Sequence, residues 1–104
     1  MQPPIFEILT WKSAPNVTEK NMIDSMSRFG NLVSTLPGFL HQSLYKRRDE
    51  TWVCVYFWET EQQAHDSNDL VAGTPEFSEL ISLIEEGSIT MEVLTALQER
   101  GIIA

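Results

Sequence analysis

The sequence predicts an α+β fold in the order β-α-β-β-α-β. This is the ferredoxin-like, split-βαβ arrangement, with a four-stranded antiparallel sheet and both helices on one face. Three observations predict it. Four runs rich in branched and aromatic residues alternate with two stretches of helical spacing. The second and third runs are separated by a short polar turn and therefore form a hairpin. The runs are also apolar on both faces, so the sheet needs cover on two sides.

The first strand is Ile5 to Trp11 (IFEILTW), bounded by Pro4 and by Lys12-Ser13-Ala14-Pro15. Asn16 then caps a helix, with Glu19 placed to complete a capping box, and Thr18 is a competing cap. Met22, Ile23, Met26, Phe29, Val33 and Leu36 form its inward stripe. Gly30 interrupts that stripe at a cost of about 1 kcal/mol relative to Ala, which points to close packing against a neighbour. Pro37-Gly38 ends the helix.

Phe39 to Arg47 (FLHQSLYKR) is the second strand, Arg48-Asp49-Glu50-Thr51 the turn, and Trp52 to Trp58 (WVCVYFW) the third strand. Thr60 caps the second helix, which runs through Ala64 towards Val71 and breaks at Gly73. Thr74-Pro75-Glu76 restarts it: a cap, a first-turn proline and an acid at the positive end of the dipole. Phe77, Leu80, Ile81 and Ile84 give its apolar stripe, and Gly87 is its expected stop. Ile89 to Leu97 (ITMEVLTAL) is the last strand. The tail, Gln98 to Ala104, carries Ile102 and Ile103, which also want cover. The 104 residues fit one domain, 1–104, with a core of about 5–97.

In the third strand one face holds Trp52, Cys54, Tyr56 and Trp58, and the other Val53, Val55 and Phe57. The first strand divides into Phe6 and Ile8 against Ile5, Leu9 and Trp11. Whichever face the helices take, the other remains apolar, above the few hundred Å² a monomer usually exposes. A second copy related by a two-fold axis is the simplest cover, giving a homodimer through the sheet face. The tail within one chain, or a different protein, are the alternatives.

Fifteen acids against seven bases give a net charge of −8, which repels phosphate backbones and anionic membranes, so neither nucleic acid nor membrane is an expected partner. The one basic cluster, Lys46-Arg47-Arg48, is followed at once by Asp49-Glu50 and reads as a solvated strand end or a weak anion site. The single cysteine, Cys54, excludes an internal disulfide and fits a reducing compartment. The N-terminus lacks signal-peptide features, and no apolar run approaches the roughly 20 residues of a membrane span. The expected location is cytoplasmic. No ligand spacing supports a metal and no glycine-rich loop a nucleotide.

Three stretches carry a resemblance to a known family: Leu36-Pro37-Gly38-Phe39-Leu40, Val53 to Thr60 (VCVYFWET), and Thr74-Pro75-Glu76-Phe77. Together they resemble the antibiotic biosynthesis monooxygenases, whose members often read "PGF" before the second strand, "W-E-S/T" after the third and "P-x-F" at the last helix. The resemblance covers Ile5 to about Leu97. It implies a dimeric α/β barrel with a pocket between sheet and helices. It also implies cofactor-independent monooxygenation of a small quinol or polycyclic aromatic by O₂, with no bound cofactor. The physical basis is that an electron-rich phenolate can itself reduce O₂, so the protein has only to orient it, aid its deprotonation and exclude water. Haem-degrading relatives use an Asn, Trp and His set. Here Ser67 stands at the Trp position and the first strand offers no Asn.

The candidate catalytic residues are His65, His41 and Tyr45. His65 is a general base on the helix flanking the pocket, or a polar-face residue beside Asp66. His41 shares a strand face with Ser43, Tyr45 and Arg47, a set that can bind and deprotonate a phenol or lie at a solvated or dimer rim. Trp58, Tyr56 and Trp11 are the candidate residues for binding a small aromatic ligand, with a core or interface role as the plainer reading. Cys54 reads as a buried inert thiol. Glu7 and Glu92 are acids within apolar strands, and one of them, if buried with a raised pKa, is a further base. The alternative function is a non-catalytic small-molecule-binding or stress-response module of the same fold.

Overall fold

The computed structural model describes residues 4–101. Within it the order is β1 (Ile5–Trp11), α1 (Glu19–Val33), β2 (Phe39–Lys46), β3 (Trp52–Trp58), α2 (Glu61–Val71), α3 (Pro75–Ser82) and β4 (Thr90–Thr95). The strands form one antiparallel sheet in the order β2-β3-β1-β4. This is the ferredoxin-like fold, with the second helical stretch split into α2 and α3.

Register decides what each face carries. Ile5, Glu7, Leu9 and Trp11 of β1 stand opposite Trp58, Tyr56, Cys54 and Trp52 of β3, and all eight point to the helices. Met22, Met26, Phe29 and Val33 of α1 close over them, with Ala64 and Val71 from α2 and Leu80 from α3. Phe29 meets Phe77 with ring centroids 6.0 Å apart, which ties α1 to α3. The exposed Arg28–Glu79 ion pair joins the same two helices and adds little.

Among the described residues no helix lies over the opposite face. It presents Phe6 and Ile8 from β1, Val53, Val55 and Phe57 from β3, and Leu94 from β4. Phe6 and Phe57 pack edge to face at 5.4 Å. The helices have thus taken the face with the larger aromatics, and an apolar face of smaller side chains is left open. β4 is exposed on both sides: Met91 and Val93 lean to the helix side and Leu94 to the open one.

Four local expectations are corrected. Asn16 does not cap α1. Its φ of 69° places it in a left-handed turn, which Asn tolerates. Thr18 is the cap, because Asn21 three residues on returns the bond to the Thr18 backbone N–H. β2 ends at Lys46 rather than Arg47, where the turn begins with the Arg47 N–H donating to Thr51 O at 2.8 Å.

Gly87 does not end the last helix. α3 stops at Ser82 because Leu83, Ile84 and Glu85 are drawn into backbone bonds with Lys12–Ala14, and Gly87 serves a later turn at φ 81°. β4 is shorter than Ile89–Leu97: its pairing with β1 runs from Thr90, opposite Thr10, to Thr95, opposite Ile5, where β1 begins. The close approach expected at Gly30 is present, since a Cβ there would lie 2.9 Å from the Gln42 side chain. Lys46 is held by Glu19 and Glu50 and lies 5.2 Å from the Trp52 ring centre, so the basic cluster is tied into its own acidic surroundings. Ile102 and Ile103 of the tail lie outside the described residues. No helix among those residues is long and apolar enough to cross a membrane.

Candidate functional site

The strand alternation that packs Ile5, Leu9 and Trp11 inward carries Glu7 in with them. Its residue is only 4 % exposed. Trp58, on the neighbouring strand, donates its indole N–H to Glu7 Oε1 at 3.2 Å. Burial pushes the Glu7 carboxyl above its ordinary value, and the Trp58 bond opposes this only in part. The result is an acid that holds its proton more tightly than usual, inside an otherwise apolar wall.

Around it two further titratable groups, Tyr56 and Cys54, also have raised proton affinity. Tyr56 stacks on Trp58 with ring centres 6.1 Å apart, and burial, with Cys54 beside it, raises its phenol well above the usual range. Cys54 is pushed up to about 11, chiefly by burial. Gln42 reaches in from β2 to donate to its sulfur at 3.7 Å. This thiol is inert near neutral pH, because the thiolate is the reactive form.

Glu7, Cys54, Tyr56 and Trp58 line a cavity of about 230 Å³ between the sheet and the three helices. Glu7, Trp11, Tyr56 and Trp58 form part of its sheet wall, Phe29 and Val71 part of its helix wall, and Met91 of β4 stands on its lining as well. Ser67 and Asn68 add polar groups from α2, but the Ser67 hydroxyl is committed to Ala64 O at 2.6 Å. A second hollow, of about 320 Å³, lies where Lys12, Glu19, Lys46, Asp49 and Glu50 meet. Lys46 there is already paired with Glu19 and Glu50, so the charge that an anion would need is spoken for. Among the described residues no three or more His, Cys, Asp or Glu side chains come together as a metal site would need.

The structure separates the residues singled out in the sequence into three groups. Trp11, Tyr56 and Trp58 all line the helix-side cavity. His41 and Tyr45 stand on the open face of the sheet, His41 with its ring 5.7 Å from Phe57. His65 lies on the exposed side of α2, whose inward residues are Ala64, Ser67 and Val71. Of the two strand acids, Glu7 is the buried one, while Glu92 is exposed opposite Ile8. What could not be read in advance is the pairing of Glu7 with Trp58, because it depends on the β1–β3 register. The available signal was an acid in phase with three inward apolar residues.

No protein-family model matches the chain, and no curated protein matches it. Solved structures do. SnoaB, a cofactor-independent oxygenase from Streptomyces nogalater, superposes with a TM-score of 0.77 at 15 % identity, over 92 % of this chain and 95 % of its own. A candidate antibiotic biosynthesis monooxygenase from Bordetella bronchiseptica gives 0.80 at 14 %, over 93 % and 100 %. Rv0793 from Mycobacterium tuberculosis gives 0.71 at 14 %, over 95 % and 100 %. The chain therefore has the fold of the antibiotic biosynthesis monooxygenases.

Proposed function

We propose that the chain is a cofactor-independent monooxygenase that oxidises a small quinol or related aromatic in the helix-side cavity. The observation that carries the reading is Glu7, a buried carboxyl of raised proton affinity in an apolar cavity ringed by Trp and Tyr side chains. A base of raised pKa matches an acidic phenol or an activated ring methylene better than an ordinary carboxylate does. The apolar walls hold the ring and exclude water.

Glu7, once ionised, takes the proton, and the Trp58 N–H steadies its carboxylate while it does so. The substrate anion then supplies the electrons. In the balanced reaction a quinol and one O₂ give a hydroxyquinone and one water, and for an activated ring methylene a ring CH₂ and one O₂ give a ring C=O and one water. All four electrons come from the substrate, so no other reductant is needed. The fold likeness to SnoaB supports this reading without specifying the substrate. His65, His41 and Tyr45 are rival bases, and they would need the substrate to sit elsewhere. Pairing through the open sheet face belongs to the same proposal, since Phe6, Ile8, Val55 and Phe57 have no helix over them.

A second reading, binding without turnover, is supported by the absence of histidine from the cavity lining. Oxygen uptake on a panel of one- to three-ring quinols, with the product mass determined, separates the two. Protein-dependent uptake with one oxygen atom gained per O₂ consumed supports the oxygenase. Ligand binding with uptake no faster than in buffer contradicts it and supports the binding module.

A further inference from the structure

We propose that a second copy of the chain covers the open sheet face in one particular orientation, the β2 side of each face lying over the β4 side of its partner, so that Glu92 meets the partner's Ser43. The proposal rests on the pairing reading given above, and it adds the orientation and the polar contact that selects it.

Register arranges the open face as rows that run across the sheet. On the β2 side stand His41, Ser43 and Tyr45, opposite Phe57, Val55 and Val53 of β3. On the β4 side stand Leu94, Glu92 and Thr90, opposite Phe6, Ile8 and Thr10 of β1. Ser43 and Glu92 are therefore the two ends of the middle row, through Val55 and Ile8. With two strands between them they lie about 14 Å apart at ~4.8 Å per strand, too far to touch within one chain. The face is thus apolar in the middle and polar at both margins, and the margins differ. One carries a carboxylate; the other carries a hydroxyl, a phenol and an imidazole, all of which can donate to it.

Two such faces can meet about a two-fold axis in three simple ways. An axis across the strands lays Glu92 on the partner's Glu92, and like charges there oppose pairing. An axis at about 45° to the strands makes the two sheets cross at right angles. It carries Glu92 over the ends of the partner's central strands, where a carboxylate loses water and gains little in return. An axis along the strands lays the β2 margin over the partner's β4 margin. Glu92 then stands over the partner's Ser43, between the partner's His41 and the partner's Tyr45, and a carboxylate accepts from each of these groups. Packed sheets lie about 10 Å apart, a gap that a glutamate and a facing tyrosine or histidine span together. Symmetry repeats the contact on both sides of the axis, and the apolar middles close on each other between. This orientation covers the apolar centre and still gives each Glu92 a donor.

Charge reversal, read by sedimentation equilibrium of the full chain at fixed salt, tests the orientation. The wild type is expected to dimerise. Ser43→Glu sets a carboxylate against the partner's Glu92 and should weaken pairing at least about 10-fold. Adding Glu92→Lys should restore the affinity to within about 3-fold of the wild type, because each new glutamate then faces a lysine. About an axis across the strands the same double variant sets Glu on Glu and Lys on Lys and stays weak. Ser43→Glu with Asp69→Lys has the same net charge, but its lysine is on exposed α2 in the helix layer, so it too should stay weak. A dimeric wild type without rescue in the Ser43→Glu, Glu92→Lys protein overturns the orientation and leaves the pairing reading standing. Equal rescue by Asp69→Lys overturns the Glu92 contact. A wild type that is monomeric at micromolar concentration overturns both the orientation and the pairing. Should the double variant fail to fold by circular dichroism, Glu92→Gln decides: it weakens pairing in this orientation and strengthens it if Glu92 meets its own copy.

Discussion

Glu7→Gln is expected to stabilise the protein, and by an amount that grows with pH. Glu7 is buried, and burial disfavours its charged form by more than the Trp58 bond favours it. The folded state therefore holds this proton more tightly than the unfolded chain does. Below the ordinary value of 4.5 both states are protonated and the group is neutral in its effect. As pH rises from there through the raised folded value, the unfolded chain releases its proton first, and stability falls. For one proton the slope is at most about 1.4 kcal/mol per pH unit. Above the folded value the loss is complete and the curve is level. Gln keeps the shape and an acceptor for the Trp58 N–H but has no proton to lose, so it escapes this fall. Urea unfolding of both proteins at several pH values from about 4 to 8 measures the gap directly. Protein concentration must be held fixed, since a self-pairing chain has concentration-dependent stability. In thermal terms each 1 kcal/mol corresponds to a midpoint shift of roughly 4–8 °C in a domain of this size. A gap that is constant with pH, or that narrows as pH rises, would refute the assignment of Glu7 as a desolvated acid.

Three further outcomes concern a turn, a helix cap and the open face. Gly38→Ala should destabilise by about 2 kcal/mol or more, read by urea melts, because φ is 82° and the new Cβ would lie 2.8 Å from Gln63 Cβ. Thr18→Ala should cost about 1 kcal/mol in the same assay, through loss of the bond from the Asn21 N–H. Phe57→Asp, placing a charge on the open apolar face, should weaken self-association at least about 100-fold while leaving circular dichroism unchanged. Light scattering reads that change, and a wild-type protein already monomeric at micromolar concentration contradicts the paired sheet.

Much of the fold was legible because local and global signals agree. The β runs around Trp52–Trp58 and Ile5–Trp11, the Thr60 and Thr74 caps and the proline after Thr74 all mark elements found in place. Corrections fall where the choice rests on a particular partner, near or distant in sequence. Thr18 displaced Asn16 because Asn21 closes the box, and α3 yielded its last turn to backbone bonds from Lys12–Ala14. Which face of β3 meets the helices was equally undetermined, since both faces are apolar and only packing against Met22, Met26 and Phe29 chooses. The site followed the same rule. Trp11, Tyr56 and Trp58 could be picked out as large strand aromatics but not as inward-facing ones, and the Glu7–Trp58 bond exists only once β1 and β3 are in register.

The proposed seat of chemistry is the helix-side cavity, with Glu7 as its base. It is tested most directly by comparing O₂ consumption of the wild type, Glu7→Gln, His65→Ala and His41→Ala with one quinol that the wild type turns over. Glu7→Gln is expected to be at least as stable as the wild type, so a loss of activity there is not a loss of fold. A fall of about 100-fold or more in kcat is expected for Glu7→Gln, the scale of a general base, with little change for either histidine variant. Full activity in Glu7→Gln together with its loss in His65→Ala or His41→Ala would contradict it.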